Sequence, residues 1–212
     1  MKKFNLLLVA LFALATVSFA QAPIKIACVG NSITQGPGRE NPGSYPLQMQ
    51  TLLGDTYEVV NFGVSGRTLL RKGDYPYWNE PQFQQVKDFQ ADILVIMLGT
   101  NDSKPQNWKY ASEFRQDYLD MIAEFKKTMP ADGKVYVVLP VPVTRVNFGI
   151  TPDVMNNEQR LMLIDIAKQS GSELLDLYTP FMGHEDLLPD GVHPNTEGLG
   201  IMAKVIARAI RL

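Results

Sequence analysis

Apolar runs of strand length alternate with longer stretches of helical spacing along this chain. The runs "IKIACV" (24–29), "YEVVNF" (57–62), "DILVIML" (92–98), "KVYVVLP" (134–140) and "ELLDL" (173–177) have the length and β-branched content of strands. The third is apolar almost throughout, as expected of a central parallel strand covered on both faces. Between them lie helix-length segments: 45–53, closed by Gly54; 81–89; 112–129, with Ser112 as a candidate N-cap; 153–171, stopped by Gly171; and 196–210. The alternation predicts an α/β fold: a three-layer α/β/α sandwich around a parallel sheet of about five strands. No internal repeat, low-complexity tract or linker interrupts it, so a single domain over 21–212 is expected.

The first twenty residues stand outside this pattern. Lys2 and Lys3 precede an unbroken apolar stretch, Leu6–Ala15, and Ser18-Phe19-Ala20 offers small residues to a peptidase. This is the layout of a secretory signal peptide cleaved after Ala20, or after Ala22, with the product periplasmic or secreted from a bacterium. Its loss takes both lysines and leaves 18 Lys+Arg against 22 Asp+Glu, a net charge of −4 with His neutral. That balance, with no basic patch, argues against nucleic acid as a partner, and cleavage would leave no stable membrane anchor. The oligomeric state is open. Cys28 is the only cysteine and sits among apolar residues, so it reads as a small buried hydrophobe rather than a reactive thiol. Two His and one Cys make no metal-ligand cluster, and no cofactor is implied.

Chemistry gathers where the strands end. In parallel α/β sheets ligands bind beyond the carboxyl ends of the strands. Strand one runs into "GNSITQG" (30–36), which places Ser32 there; strand two into "NFGVSGRT" (61–68), where Gly63 and Gly66 permit positive φ and close backbone approach; strand three into "LGTND" (98–102), with the amide of Asn101. "PDGVHPN" (189–195) precedes the last helix and carries Asp190 and His193, with Asn195 as candidate N-cap. Each piece alone reads as a turn. Together they are the set acyl transfer needs. A serine hydroxyl needs a base, an imidazole titrates near working pH at about 6.5, a carboxylate orients it, and N–H donors stabilise an oxyanion. The base has one rival, His184, which reads as a surface or lid-loop histidine.

These four blocks resemble the SGNH, or GDSL-like, hydrolase family over residues 24 to 208. The resemblance implies a flavodoxin-like fold of that family, with Ser32 as nucleophile, Asp190 and His193 completing the triad, and an oxyanion hole of the Ser32 and Gly66 N–H groups and the Asn101 amide. It also assigns Gly63 to the turn before Gly66. One departure stands out: the family commonly has Asp before the serine, where this chain has Asn31. The "GNSIT" form is similar to the branch that includes sialate and other carbohydrate O-acetylesterases. The α/β-hydrolase elbow G-x-S-x-G is absent, because Thr34 stands at the second glycine.

Loops beyond these blocks carry Tyr75, Tyr77 and Trp78, then Trp108 and Tyr110, then Arg145 and Phe148. Tyr75, Trp78, Trp108 and Arg145 are candidate substrate contacts, with rings stacking on sugars; packing of the same rings onto the domain is the equal alternative. The expectation is a serine esterase releasing acetyl groups from a small-molecule or glycan ester through an acyl-enzyme. The alternatives are a lysophospholipase or thioesterase acting on longer chains, a non-catalytic carbohydrate-binding domain, and acetyl transfer to another sugar.

Overall fold

The computed structural model describes residues 22–211; the expected signal segment lies outside them. Five strands, β1 (Ile24–Gly30), β2 (Tyr57–Asn61), β3 (Ile93–Met97), β4 (Lys134–Leu139) and β5 (Glu173–Asp176), form one sheet in the order β2-β1-β3-β4-β5. Every pairing is parallel. The helices are α1 (Ser32–Gln35), α2 (Tyr45–Leu53), α3 (Pro81–Phe89), α4 (Pro105–Trp108), α5 (Ala111–Lys126), α6 (Arg160–Ser170) and α7 (Thr196–Ile210). None of the described helices is long and apolar enough to cross a membrane.

The period of two along each strand divides the core into two layers. Ile26, Cys28, Val95 and Met97 face one side, where Tyr45 and Met49 of α2 and Leu199, Met202 and Ile206 of α7 cover them. Ala27, Val29, Leu94 and Ile96 face the other, against Val86 of α3, Phe114, Tyr118 and Ile122 of α5, and Leu163 and Ile166 of α6. The three-layer α/β/α sandwich expected from the alternation is the fold observed.

Two local expectations change. Ser112 does not cap its helix: α5 begins at Ala111 after Tyr110, with no side-chain capping bond. The segment 153–171 is not one α-helix. It opens with a π-helical turn, Val154–Gln159, before α6, and this turn buries Gln159 so that its Nε2 donates to the Gly99 carbonyl at 3.0 Å. Gly54 and Gly171 do close α2 and α6, with φ of 76° and 61°.

The sheet order changes direction between β1 and β3, since β1 connects outward to β2 on one side and the chain then returns to β3 on the other. The crevice at that switch lies above the β1 carboxyl end. The turn leaving β1 is packed without slack. A Cβ on Gly63 would lie 2.2 Å from the Gln35 backbone nitrogen and 2.7 Å from the Thr34 carbonyl carbon. Gly63 is therefore a close-approach residue; positive φ belongs to Gly66, at 79°, where an added Cβ meets nothing within 4 Å.

These two glycines separate steric from conformational cost. Gly63→Ala should lower stability by about 2–3 kcal/mol, because the neighbours are backbone and cannot turn aside. That corresponds to a fall of roughly 4–12 °C in Tm for a domain of this size. Gly66→Ala carries only backbone strain, about 1 kcal/mol. Thermal melts of the two variants check the ranking, and equal losses would contradict it.

Candidate active site

Ser32 is the first residue of α1, a single helical turn set directly behind β1. Asn31 is fully buried and caps that turn: its Oδ1 accepts from the Ile33 N–H at 3.1 Å. Asn and Asp serve about equally as caps, so the departure at this position keeps the capping bond while avoiding a buried charge. From the β2 side, Asn61 Nδ2 donates to the Thr34 carbonyl at 2.9 Å, tying down the far end of the turn.

His193 comes from the segment before α7, whose first turn is capped by Asn195 Oδ1 accepting from Gly198 N–H at 2.9 Å. Asp190 organises this segment as an Asx turn. Its Oδ1 accepts from the Val192 and His193 N–H groups, at 2.9 and 2.7 Å, and its Oδ2 lies 2.7 Å from His193 Nδ1. Partial burial pulls the Asp190 pKa up. The His193 N–H, the imidazole and the Val192 N–H outweigh it, so the carboxyl sits below the ordinary carboxylate value. An ionised carboxylate only accepts, so the proton between the two groups belongs on Nδ1. That leaves Nε2 as the acceptor, and Ser32 Oγ stands 2.8 Å from it. The structure thus brings Ser32, His193 and Asp190 into one hydrogen-bonded chain. His184 stands apart and exposed, ahead of a short 3-10 turn at Glu185–Leu187.

Gly66 and Asn101 lie on the chain just past the ends of β2 and β3. The Ser32 N–H belongs to the unpaired donors of a helix start. The Gly66 N–H has no acceptor among the described residues. Asn101 is buried, and one amide hydrogen goes to the Arg67 carbonyl at 3.1 Å, which leaves the second. Two residues with no role in the sequence reading hold these loops together. Asp102 is fully buried and its carboxylate accepts from the Leu69 and Leu70 N–H groups, at 2.9 and 2.7 Å. Asn107, also fully buried, donates to the Asn101 carbonyl and to Asp74 Oδ1 and accepts from the Asp74 N–H. The only signal for Asp102 was an acid directly behind a buried strand; Asn107 gave none.

The candidate contact residues divide. Trp78 packs against Phe83 with its indole N–H on the Leu69 carbonyl and the Arg71 guanidinium 3.9 Å from its ring centre. Trp108 packs edge-on against Phe114 and donates to Glu158. Tyr77 is fully buried, its hydroxyl on the Phe62 carbonyl. These rings do the packing that was the alternative to substrate contact. Tyr75 and Phe148 remain exposed, and Arg145 reaches the Pro189 carbonyl beside the Asp190–His193 turn. A cavity of about 390 Å³ opens against Ser32 and His193, lined also by Ile33, Pro37, Pro194 and Leu199. Cys28 is buried under this region, and burial pushes its thiol up to about 12. Among the described residues no cluster of three His, Cys, Asp or Glu is placed to hold a metal.

The model of the GDSL-like lipase/acylhydrolase family matches residues 28–200, and the chain belongs to that family. An acetylxylan esterase of Xylanibacter ruminicola is 41% identical over 207 residues, covering 89% of this chain and 43% of that protein. The chain spans less than half the length of the sequence relatives it matches. Among solved structures, the acetyl xylan esterase AlAXEase superposes with a TM-score of 0.72 at 23% identity, over 88% of this chain and all of that one. Axe2, an acetylxylan esterase from Geobacillus stearothermophilus, gives 0.65 at 23% identity, over 89% of this chain and 94% of that one. Likeness at this identity shows a shared fold.

Burial pushes the Asp102 carboxyl up to about 7, although the Leu70 and Leu69 N–H groups pull it back down. The folded chain therefore holds this proton between about pH 4 and 7, where the unfolded chain has released it. The associated stability is present in full below that window and lost as pH rises through 7. Asp102→Asn turns an NH2 toward one of the two backbone donors, which should cost about 2 kcal/mol and about 4–8 °C in Tm. The variant also lacks the titration, so its deficit against wild type should be smaller at pH 8 than at pH 5. Melting curves of both proteins at the two pH values check this; a deficit independent of pH counts against it.

Proposed function

We propose that this member of the GDSL-like lipase/acylhydrolase family is a serine esterase that removes acetyl groups from carbohydrate. The observation that carries the reading is the continuous Asp190–His193–Ser32 chain, with contacts of 2.7 and 2.8 Å, at the carboxyl edge of the sheet. Resemblance to the acetylxylan esterase of Xylanibacter ruminicola supports the choice of acyl group and substrate class.

In this reading Ser32 Oγ attacks the ester carbonyl carbon as its proton passes to His193 Nε2. The carbonyl oxygen becomes an oxyanion held by the Ser32 and Gly66 N–H groups and the free Asn101 amide hydrogen. Each such donor contributes about 10²–10³ in rate. The C–O bond to the sugar then breaks and His193 gives its proton to the departing alkoxide oxygen. A water molecule repeats the sequence on the acetyl-enzyme: His193 takes its proton, the hydroxide oxygen bonds to the acyl carbon, and acetate leaves as Ser32 regains a proton. Asp190 stays ionised throughout and holds the imidazole in the tautomer that leaves Nε2 free. Another sugar in place of water would give acetyl transfer by the same steps. The segment ending at Ala20 fits an exported enzyme.

The largely apolar lining of the cavity at Ser32 favours a second reading, hydrolysis of longer acyl esters. Three measurements separate these possibilities. Ser32→Ala should lower kcat/KM on p-nitrophenyl acetate by at least about 10³-fold with Tm unchanged; activity equal to the variant's in wild type would end the enzyme reading. Activity should favour acetyl over octanoyl esters, and the reverse preference supports the longer-chain reading instead. His193→Ala should lower the same kcat/KM by at least about 10³-fold, and a wild-type rate in that variant would exclude His193 as base.

A further inference from the structure

Two described residues other than glycine have positive φ, Gln90 at 52° and Phe148 at 53°. Gln90 is the C-cap of α3, an ordinary place for that conformation. Phe148 has no helix to close. It sits in the loop between β4 and the π-helical turn, and a bulky side chain there is a true outlier that only an over-determined backbone sustains.

The backbone is over-determined. Asn147 and Ile150 exchange N–H to carbonyl bonds at 2.8 and 3.3 Å, and the Phe148 N–H is held by Asn147 Oδ1 at 2.9 Å. The same loop grips the segment that carries the acid and base. Thr144 N–H donates to the Gly191 carbonyl at 2.9 Å, Asn147 Nδ2 to the Asp190 carbonyl at 2.9 Å, and Arg145 to the Pro189 carbonyl. Below them Val143, Ile150, Met155 and Val192 form a small buried cluster of their own. All this leaves the Phe148 ring 5.6 Å from the His193 ring, centre to centre, inclined at 63°, and still 59% exposed. A ring that only braced the imidazole would be buried against it. This one keeps most of its surface open.

We infer that Phe148 is the aromatic wall of a sugar subsite, lying against the apolar C–H face of the pyranose ring that bears the acetyl ester. The inference rests on the carbohydrate esterase reading above and deepens it. His193 Nε2 must hand its proton to the leaving oxygen, and that oxygen belongs to the sugar. The sugar ring therefore has to lie beside the imidazole, where the exposed ring stands. The left-handed backbone aims Phe148 at this place.

The test compares wild type, Phe148→Ala, Phe148→Gly and Phe148→Trp on acetylated xylobiose and on ethyl acetate, whose alcohol offers no ring to stack. Both ring deletions should raise KM for acetylated xylobiose about tenfold or more, and the loss in kcat/KM on that substrate should exceed the loss on ethyl acetate at least fivefold. Phe148→Trp should restore KM to within about threefold. Phe148→Gly accepts the positive φ and should melt about 2–4 °C above Phe148→Ala. Matching losses in both thus assign the effect to the ring rather than to a displaced loop. Equal losses on the two substrates would overturn the subsite and make Phe148 a positioning residue for His193; no loss on either also overturns it. Wild type that hydrolyses ethyl acetate yet releases nothing from acetylated xylobiose would overturn the carbohydrate reading, and the subsite with it.

Discussion

The exit from β1 has no spare volume, and the placement of Ser32 follows from that. A Cβ on Gly30 would stand 2.0 Å from Thr34 Oγ1 and 2.8 Å from the Met97 carbonyl; one on Gly63 would meet the end of α1 at 2.2 Å. The chain must turn at once, in one helical turn, between β3 on one side and the β2 exit on the other. Asn31 closes the start of the turn and Asn61 closes its end. A serine hydroxyl has one useful direction only if its backbone cannot drift, and dense packing is what removes the drift.

The two sides of the crevice are stiffened by different means. Around Gly66 and Asn101 the supports are buried polar groups. Asp102 and Asn107 spend their capacity on backbone N–H and carbonyl groups of the loops that carry Gly66 and Asn101. Burial disfavours a carboxylate's charge and raises the Asp102 pKa, although the Leu69 and Leu70 N–H groups pull it down. What Asp102 secures is loop geometry that apolar contacts would leave free to slide. Around Asp190 and His193 the support is mostly exposed. Asp190 is only partly buried, and its segment is strapped from outside by the loop carrying Thr144, Arg145 and Asn147. An exposed strap leaves the imidazole reachable by substrate and water.

Local order of the chain predicts well where one physical rule decides. Helices 45–53, 81–89 and 196–210 come out with the bounds their spacing predicts, because apolar stripes, first-turn prolines in the first two, Gly54 after the first and the Asn195 cap before the last all act within a few residues. Ser112 as a cap does not: Tyr110 takes the N-cap position with φ −103° and ψ 19°, and Ser112 is already the second residue of α5. The π-helical turn has no periodic signature; it exists to set Gln159 under Gly99. Among the rim aromatics, Trp78 and Trp108 pack inward, because Leu69 and Glu158 supply acceptors for their indole N–H groups and Phe83 and Phe114 supply surface.

The alternation of elements, the two-faced strands and the polar blocks behind β1, β2 and β3 and before α7 are legible in the residues alone. All of these are set by near neighbours and by the rule that parallel strands end on one rim. Which rings are buried, that Asp102 clamps a neighbouring loop, and that Phe148 stands beside His193 follow only from how the layers pack. Ser32 and His193 are 161 positions apart, and a distance of 2.8 Å between them is set by the packing of every layer in between. Residue type and spacing carry no information about such a distance until the chain has closed.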